Sequence, residues 1–137
     1  MKLIRFGVSI PEDLCRRFDA HIARKNYPNR SESIRDLIRN ELIEEEIKQN
    51  TEVVGVLHLL YDHHKRELSD RLTDLQHENR HLVLSSMHIH LDHDNCIEVI
   101  LIRGKAQEVK NLANSLIATK GVKHGRLNIT STGTNLA

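Results

Sequence analysis

The centre of this 137-residue chain concentrates side chains that bind transition metals. Eight of its ten histidines fall between His58 and His93, and Cys96 follows that stretch closely. His88 and His90 are separated by a single residue, and His77 precedes them. Because imidazole nitrogen and thiolate sulfur are ligands for transition metals such as zinc, copper and nickel, this set of residues predicts a metal site.

His88 and His90 belong to a predicted strand over residues 82–91, in which side chains two apart project from the same face. A turn is predicted over residues 92–95, and Cys96 opens the paired strand, close enough to supply a thiolate. The hairpin therefore brings two imidazoles and one thiol to one place. We expect the opposite face of the first strand to supply a core from Val83, Met87, Ile89 and Leu91.

His77 lies on a helix predicted over residues 63–80. The apolar stripe of that helix includes Leu72 and Leu75, and at 100° per residue His77 lies roughly opposite it. If the stripe packs on the chain's own sheet, His77 faces away and can join a site of another subunit. We therefore infer a metal site shared between subunits.

The ligand set alone does not determine the metal. Zinc would bind these ligands tetrahedrally, whereas copper(II) or nickel(II) would prefer a planar arrangement. Four other histidines of this region are expected to be solvent-exposed, with at most weak secondary sites; they are His63, His64, His81 and His93.

Residues 3–10 alternate as a half-buried strand does, with Arg5, Gly7 and Ser9 on the polar face. Pro11 begins a first helix, and the break at residues 27–30 precedes a second helix. Ser31 is the predicted N-cap of this second helix, with Asn29 as the alternative. A lone strand leaves its edges unpaired, so the strand must pair with another chain.

Two such strands, paired antiparallel, form a ribbon that fits the major groove of DNA. Arg5 can bond bidentately to guanine and Ser9 can bond a base edge, whereas Gly7 has no side chain to read with. Backbone N–H groups near Ser31 can hold a phosphate. Residues 1–40 carry nine Lys and Arg against five Asp and Glu, a balance that favours DNA. The alternative is a merely solvated strand face, but the strand–helix–helix order resembles that of ribbon-helix-helix repressors.

The second half of the chain has the predicted order β-α-β-β-α-β, which is the ferredoxin-like arrangement. The predicted class is α+β: a ribbon-helix-helix (βαα) domain over residues 1–48, joined to a ferredoxin-like βαββαβ domain over residues 52–132.

Domains this small are often stabilised by oligomerisation or metal, so oligomers are expected. No apolar run is long enough to span a membrane, and the N-terminus lacks a signal-peptide pattern. With two distant cysteines, this predicts a cytoplasmic protein.

Both halves together resemble the nickel-responsive transcriptional regulator family (NikR). The resemblance spans roughly residues 3–130. It rests on the segments 27–36 (Tyr-Pro-Asn-Arg-Ser-Glu-Ser-Ile-Arg-Asp), 61–68 (Tyr-Asp-His-His-Lys-Arg-Glu-Leu), 76–77, 88–98 and 121–125 (Gly-Val-Lys-His-Gly).

The resemblance implies a homotetramer, a dimer of dimers in which ferredoxin-like (ACT-type) regulatory domains form the core between two ribbon-helix-helix dimers. It implies one Ni²⁺ per subunit in a square plane, held by His88, His90 and Cys96 of one subunit and His77 of a neighbour. The nickel-loaded protein would bind a palindromic double-stranded DNA operator and typically repress nickel-uptake genes.

The resemblance also assigns roles outside the nickel site. Lys65 and Arg66 match residues that touch the DNA backbone, and Glu32 and Asp36 match residues of a second cation site between the domains. One departure concerns Gly7, because the family commonly has a polar residue there. The DNA sequence that this position reads is therefore open.

Three alternatives remain at this point. The same ligands could sense zinc, cobalt or copper, or the ACT-type domain could bind a small-molecule effector with the histidines incidental. A zinc hydrolase would need an open coordination position and a general base, for which Glu98 is the nominal candidate. Four ligands leave no such position and no nucleophile motif is present, so we expect a protein that is not an enzyme.

Overall fold

Four helices and four strands make up the chain, and the computed structural model describes all of residues 1–137. They form two compact units, Met1–Glu41 and Leu42–Ala137. The boundary falls inside the second helix, a few residues before the end of the predicted first domain. In chain order the elements are α1 (Glu12–Arg24), α2 (Arg30–Lys48), β1 (Glu52–Asp62), α3 (Arg66–Glu78), β2 (Val83–His90), β3 (Asn95–Lys105), α4 (Ala106–Ile117) and β4 (Val122–Ser131).

The sheet of the second unit has the strand order β2-β3-β1-β4, and all neighbouring strands are antiparallel. This is the predicted ferredoxin-like topology. The helix predicted over residues 63–80 begins later, at Arg66, because Asp62 ends β1 in a turn. Its Oδ1 accepts a hydrogen bond from the His64 N–H at 2.9 Å, and its carbonyl accepts one from the Lys65 N–H at 3.3 Å.

Helices α3 and α4 cover one face of the sheet, and the core lies between them and the strands. Every second residue of β1 and β3 points into it, which gives the alternating burial that the apolar pattern predicted. Helix α4 packs so closely on β4 that a Cβ added to Gly125 would lie 2.7 Å from Ile117 Cγ1. The fully buried core side chains include Leu57, Leu59, Tyr61, Leu72, Cys96, Ile100, Ile102, Val109 and Leu116.

The other face of the sheet is uncovered in the single chain. Met87, Ile89 and Leu91 lie there and are about half exposed, so the prediction that they supply a core is wrong within one chain. Two helices can cover only one face, and β2 is an edge strand with no neighbour on its outer side. Of the four residues predicted, only Val83 packs against the core.

In the first unit, Asn29 caps α2, since its Oδ1 accepts a hydrogen bond from the Glu32 N–H at 2.9 Å. The prediction of Ser31 as the N-cap is wrong, because Ser31 already lies within the first turn of the helix. Arg30 joins α1 to α2 through a bidentate contact with Asp19, at 2.8 and 2.7 Å.

Residues 1–10 form no strand ladder in the single chain, although their alternation predicts a strand. The physical reason is that the first unit holds no other strand with which they could pair. Their apolar side chains are therefore exposed, with Ile4 at 81% and Phe6 at 72%. Leu37 and Ile38 of α2 are also about half exposed, so this unit leaves most of its apolar surface unburied.

Candidate metal centre

Strand pairing places the three candidate ligands of the hairpin on one face of the sheet. In the β2–β3 register, His88 lies opposite Glu98 and His90 lies opposite Cys96. Directly opposite residues of an antiparallel pair share a face, and this is the face that the helices cover further along the sheet. Cys96 is fully buried, whereas the His88 side chain is 47% exposed at the open edge.

In the metal-free chain, the surroundings of Cys96 keep its thiol protonated. Burial raises its pKa, a hydrogen bond with Tyr61 lowers it, and the negative charges of Glu98 and Asp62 raise it again. The net direction is upward, so the metal-free side chain is a neutral thiol at pH 7. A metal ion bound here has to displace that proton, because the thiolate is the ligand.

Glu98 organises the neighbourhood of His88. Its Oε1 accepts a hydrogen bond from the Tyr61 hydroxyl at 2.6 Å, and its Oε2 accepts one from Gln76 Nε2 at 2.8 Å. The Tyr61 hydroxyl also hydrogen-bonds to His88 Nε2, which lies 3.2 Å from Glu98 Oε1. Burial, followed by the bond to Glu98, raises the pKa of Tyr61, so the phenol stays protonated and donates.

Sequence reasoning missed Tyr61 and Gln76 and considered Glu98 only as a nominal base. A signal was present, because Tyr61 ends an apolar strand and a buried tyrosine hydroxyl needs a polar partner. The identity of that partner depends on the β1–β3 register, which a single sequence does not determine.

His77 lies in the last turn of α3 and is exposed, whereas the preceding Gln76 points inward to Glu98. The buried residues Leu68, Leu72 and Leu75 hold the other side of this helix on the core. The structure therefore confirms that His77 faces away from the apolar stripe. It does not bring His77 to His88, His90 and Cys96 of the same chain.

The ligand atoms of His88, His90 and Cys96 share a face without converging on one point. His88 is engaged with Tyr61, and the His90 ring stacks on His63 with centroids 4.0 Å apart and planes 6° apart. The Nε2 atom of His63 is buried without a hydrogen-bond partner. Two imidazoles and a thiol on one face fit nickel(II), provided that these rings turn toward Cys96 and the thiol loses its proton.

The candidate DNA-binding residues are all exposed. Arg5, Gly7 and Ser9 lie in the unpaired segment 1–10, and nothing lies within 4 Å of a Cβ added to Gly7. Ser31 lies in the first turn of α2, where backbone N–H groups point out of the helix. Lys65 immediately precedes α3 and Arg66 is its first residue.

Glu32 and Asp36, the candidates for a second cation site, are engaged inside the first unit. Glu32 forms an ion pair with Arg35, and Asp36 accepts hydrogen bonds from the Tyr27 hydroxyl at 2.7 Å and from Arg39 at 2.8 Å. Those two bonds lower the pKa of Asp36. A cation would have to displace at least one of these partners.

Comparison with known proteins matches both halves of the chain. Residues 54–130 match the model of the NikR C-terminal nickel-binding domain, and residues 4–45 match the ribbon-helix-helix protein model of the copG family. A predicted nickel-responsive regulator of Solibacter usitatus is 51% identical over 98% of this chain and 97% of its own. Another predicted nickel-responsive regulator, from Geobacter sulfurreducens, is 54% identical over 97% of this chain and 96% of its own. In the chain described here, no helix has the length and apolar character needed to cross a membrane.

Proposed function

This chain belongs to the family of nickel-responsive regulators, and from that membership we propose that it is a nickel-responsive, DNA-binding transcriptional regulator. The observation that carries the proposal is the β2–β3 register, which places His88, His90 and Cys96 on one face within the segment that matches the nickel-binding model. We propose that the nickel-loaded form represses nickel-uptake genes. Because its partner is DNA, we assign it to the cytoplasm.

We assign His88, His90 and Cys96 of one subunit, and His77 of another, as the four ligands. His77 is exposed on the far side of α3, so a second copy of the chain can reach it. When bound, nickel(II) would supply coordination bonds to these side chains and so would link two subunits. The site then holds one Ni²⁺ per subunit.

The residues around the site position these ligands. Glu98 is 6% exposed, and its two carboxylate oxygens connect Tyr61, which touches His88, to Gln76, which adjoins His77 on α3. We propose that these hydrogen bonds transmit a change at His88 to the helix that carries His77. At its N-terminal end, that helix begins with Arg66, and Lys65 immediately precedes it. We propose that Lys65 and Arg66 contact the DNA backbone.

We propose that two copies of residues 3–10 pair as an antiparallel ribbon with Arg5 and Ser9 facing the bases. The exposure of Ile4 and Phe6 supports this, because pairing would bury them between the two copies. The uncovered sheet face around Met87 and Ile89 supports a further association of the second units. We propose a homotetramer, a dimer of dimers, that binds a palindromic operator, as two-fold symmetry of the reading units requires.

Regulation rather than catalysis fits this site. All four proposed ligands are protein side chains, whereas a catalytic metal site keeps one ligand position for water or substrate. Glu98, the nominal base, is buried and already bonded to Tyr61 and Gln76. We therefore propose that the chain is not an enzyme.

The test is a nickel titration followed on one sample by absorption and by a gel shift with DNA selected from a random pool. We expect a nickel–thiolate absorption band that saturates together with DNA binding, and a zinc titration without a band. Cys96→Ala should abolish the band, whereas Cys15→Ala, at the other cysteine, should retain it. Tight DNA binding by the metal-free protein, or an unchanged band in Cys96→Ala, would overturn the proposal.

A further inference from the structure

The face of the sheet that the helices leave uncovered carries a cluster of nitrogen donors on β1 and β4. Gly125 of β4 faces α4, so its neighbours His124 and Arg126 project from the opposite, uncovered face. In the β1–β4 register Arg126 lies directly opposite His58, and the rings of His58 and His124 have centroids 5.7 Å apart. The guanidinium and the two imidazoles are therefore neighbours on one surface of a single chain.

His58 occupies the middle of this face and is half-buried. Val99 lies opposite it in the β1–β3 register, and Val56 and Leu60 flank it along its own strand on the same face. On the β4 side its direct neighbour is the charged Arg126. Because the other surroundings are apolar, a hydrogen bond from this imidazole to a charged group is stronger than it would be in water.

The guanidinium of Arg126 has no counter-ion in the chain. The ion pairs involve other arginines, and no side-chain hydrogen bond reaches this guanidinium. The carboxylates on this face of the sheet are Glu52 and Asp62, at the two ends of β1. Glu52 is paired with Arg103 at 3.0 Å, and Asp62 accepts the His64 N–H at 2.9 Å. Acidic side chains of the chain itself therefore do not neutralise Arg126.

We propose that Arg126, His58 and His124 form a binding site for a tetrahedral oxyanion, namely sulfate, phosphate or the phosphate group of a monoester. The fork of an arginine bonds two oxygens of such an ion, and a neutral imidazole can donate one N–H to a further oxygen. His124 belongs to the segment 121–125, which carries part of the family resemblance but supplies no ligand to the proposed nickel site. The oxyanion site thus gives this segment a role of its own.

The site lies on the face through which we propose that the second units associate, and its effect on assembly rests on that proposed association. Burying an unpaired guanidinium is costly, whereas a guanidinium that holds an oxyanion is paired. The oxyanion should therefore strengthen the association, and by linkage the association should strengthen oxyanion binding. The assembly then responds to the concentration of an anion as well as to nickel.

The test uses the metal-free full chain in low-millimolar sodium sulfate, with sodium chloride of equal ionic strength as the reference. Matched ionic strength removes differences in screening, and the low concentration avoids the general stabilising effect of sulfate. Titration calorimetry should show saturable sulfate binding, and analytical ultracentrifugation should show a tighter assembly in sulfate than in chloride.

Arg126→Gln should weaken sulfate binding about tenfold or more, because the charge-assisted hydrogen bonds of the guanidinium are lost. Arg126 is exposed, so this variant should fold. His124→Ala should weaken binding by a smaller factor. The matched control is Arg103→Gln, since Arg103 lies on the same face but already has Glu52 as its partner, and it should leave sulfate binding unchanged.

Sodium phosphate and glycerol phosphate distinguish the two sources of the oxyanion. Tighter binding of inorganic phosphate supports a site for the free ion, whereas tighter binding of the ester supports a site for phosphorylated metabolites. Both results should depend on Arg126 in the same way as sulfate binding does.

Equal sulfate binding by Arg126→Gln and the wild-type chain, or no saturable binding by the wild-type chain, overturns the site. An Arg126→Gln assembly that is weakened equally in chloride and in sulfate also overturns it, because Arg126 would then pair with a carboxylate of another copy. The nickel–thiolate band and nickel-dependent DNA binding report the proposed function separately. Either proposal can therefore fail while the other stands.

Discussion

His90 and Cys96 lie directly opposite each other in the β2–β3 ladder, on either side of the turn that joins the strands. The Leu91 N–H donates to the Asn95 carbonyl at 2.8 Å and closes that turn. The backbone thus keeps an imidazole and a thiol on one face without help from a metal. Such preorganisation of the backbone lowers the entropic cost of binding a metal.

Nickel affinity should rise with pH across the neutral range. Burial raises the pKa of Cys96, so the thiol keeps its proton at pH 7 and must lose it when metal binds. Below that raised pKa, apparent affinity should increase about tenfold for each pH unit per proton released. Titration calorimetry in two buffers of different ionisation enthalpy measures the released proton. A nickel affinity that stays constant between about pH 6 and pH 8 would contradict this. That interval is roughly the range in which an ordinary histidine titrates.

Tyr61→Phe should destabilise the chain and weaken nickel binding. The change removes the hydroxyl that donates to Glu98 and contacts His88, leaving a buried carboxylate with one donor fewer. A loss of about 1–3 kcal/mol in the free energy of unfolding is expected for such an unsatisfied group. Urea denaturation measures the stability, and the thiolate band measures binding. Replacing Tyr27, the other tyrosine, should affect stability without altering the band.

The fold of the second unit could be predicted because its apolar residues alternate in strands and recur at helical spacing. The same patterns predicted the hairpin that brings His88, His90 and Cys96 together. The failed prediction concerned Met87 and Ile89, because alternation shows that a face is apolar without showing what covers it. The partners of Glu98 were also missed, since Tyr61 and Gln76 come from elements whose register only the folded chain provides.

The segment 3–10 illustrates a different limit. Its alternation indicates a strand, yet a strand needs a partner that one chain does not hold. The choice between Asn29 and Ser31 as the cap depended on where the helix begins, to within two residues. Helix ends are least certain at that scale, because several polar residues nearby can accept the same hydrogen bond.

Asn29→Ala should lower stability more than Ser31→Ala. Asn29 accepts the Glu32 N–H at the start of α2, and losing such a cap costs about 1 kcal/mol, whereas Ser31 does not cap the helix. Thermal unfolding followed by circular dichroism measures both variants side by side. An equal loss in the two would show that the cap does not lie where the Asn29–Glu32 bond places it.

DNA recognition should separate into base reading and backbone contact. Arg5→Ala should cost about 1–3 kcal/mol on the preferred sequence and relax specificity at one base pair. Lys65→Ala should weaken binding to all sequences and reduce the salt slope by about one for each phosphate that is no longer neutralised. Lys120→Ala, an exposed lysine not assigned to DNA, should change neither. Fluorescence anisotropy at several salt concentrations distinguishes these outcomes, and loss of specificity in Lys65→Ala would reverse the assignment.

The central claim, that one metal site belongs to two chains and governs DNA binding, is tested most directly by mixing two inactive variants. His77→Ala and Cys96→Ala should each lack the nickel–thiolate band and nickel-dependent DNA binding when expressed alone. Co-expressed in one cell and purified as hybrids, they combine an intact His77 with an intact Cys96 across the subunit interface. The shared site predicts that the band and part of the nickel-dependent DNA binding return in the hybrids. A full band in His77→Ala alone, or no recovery in hybrids shown to contain both chains, would contradict it.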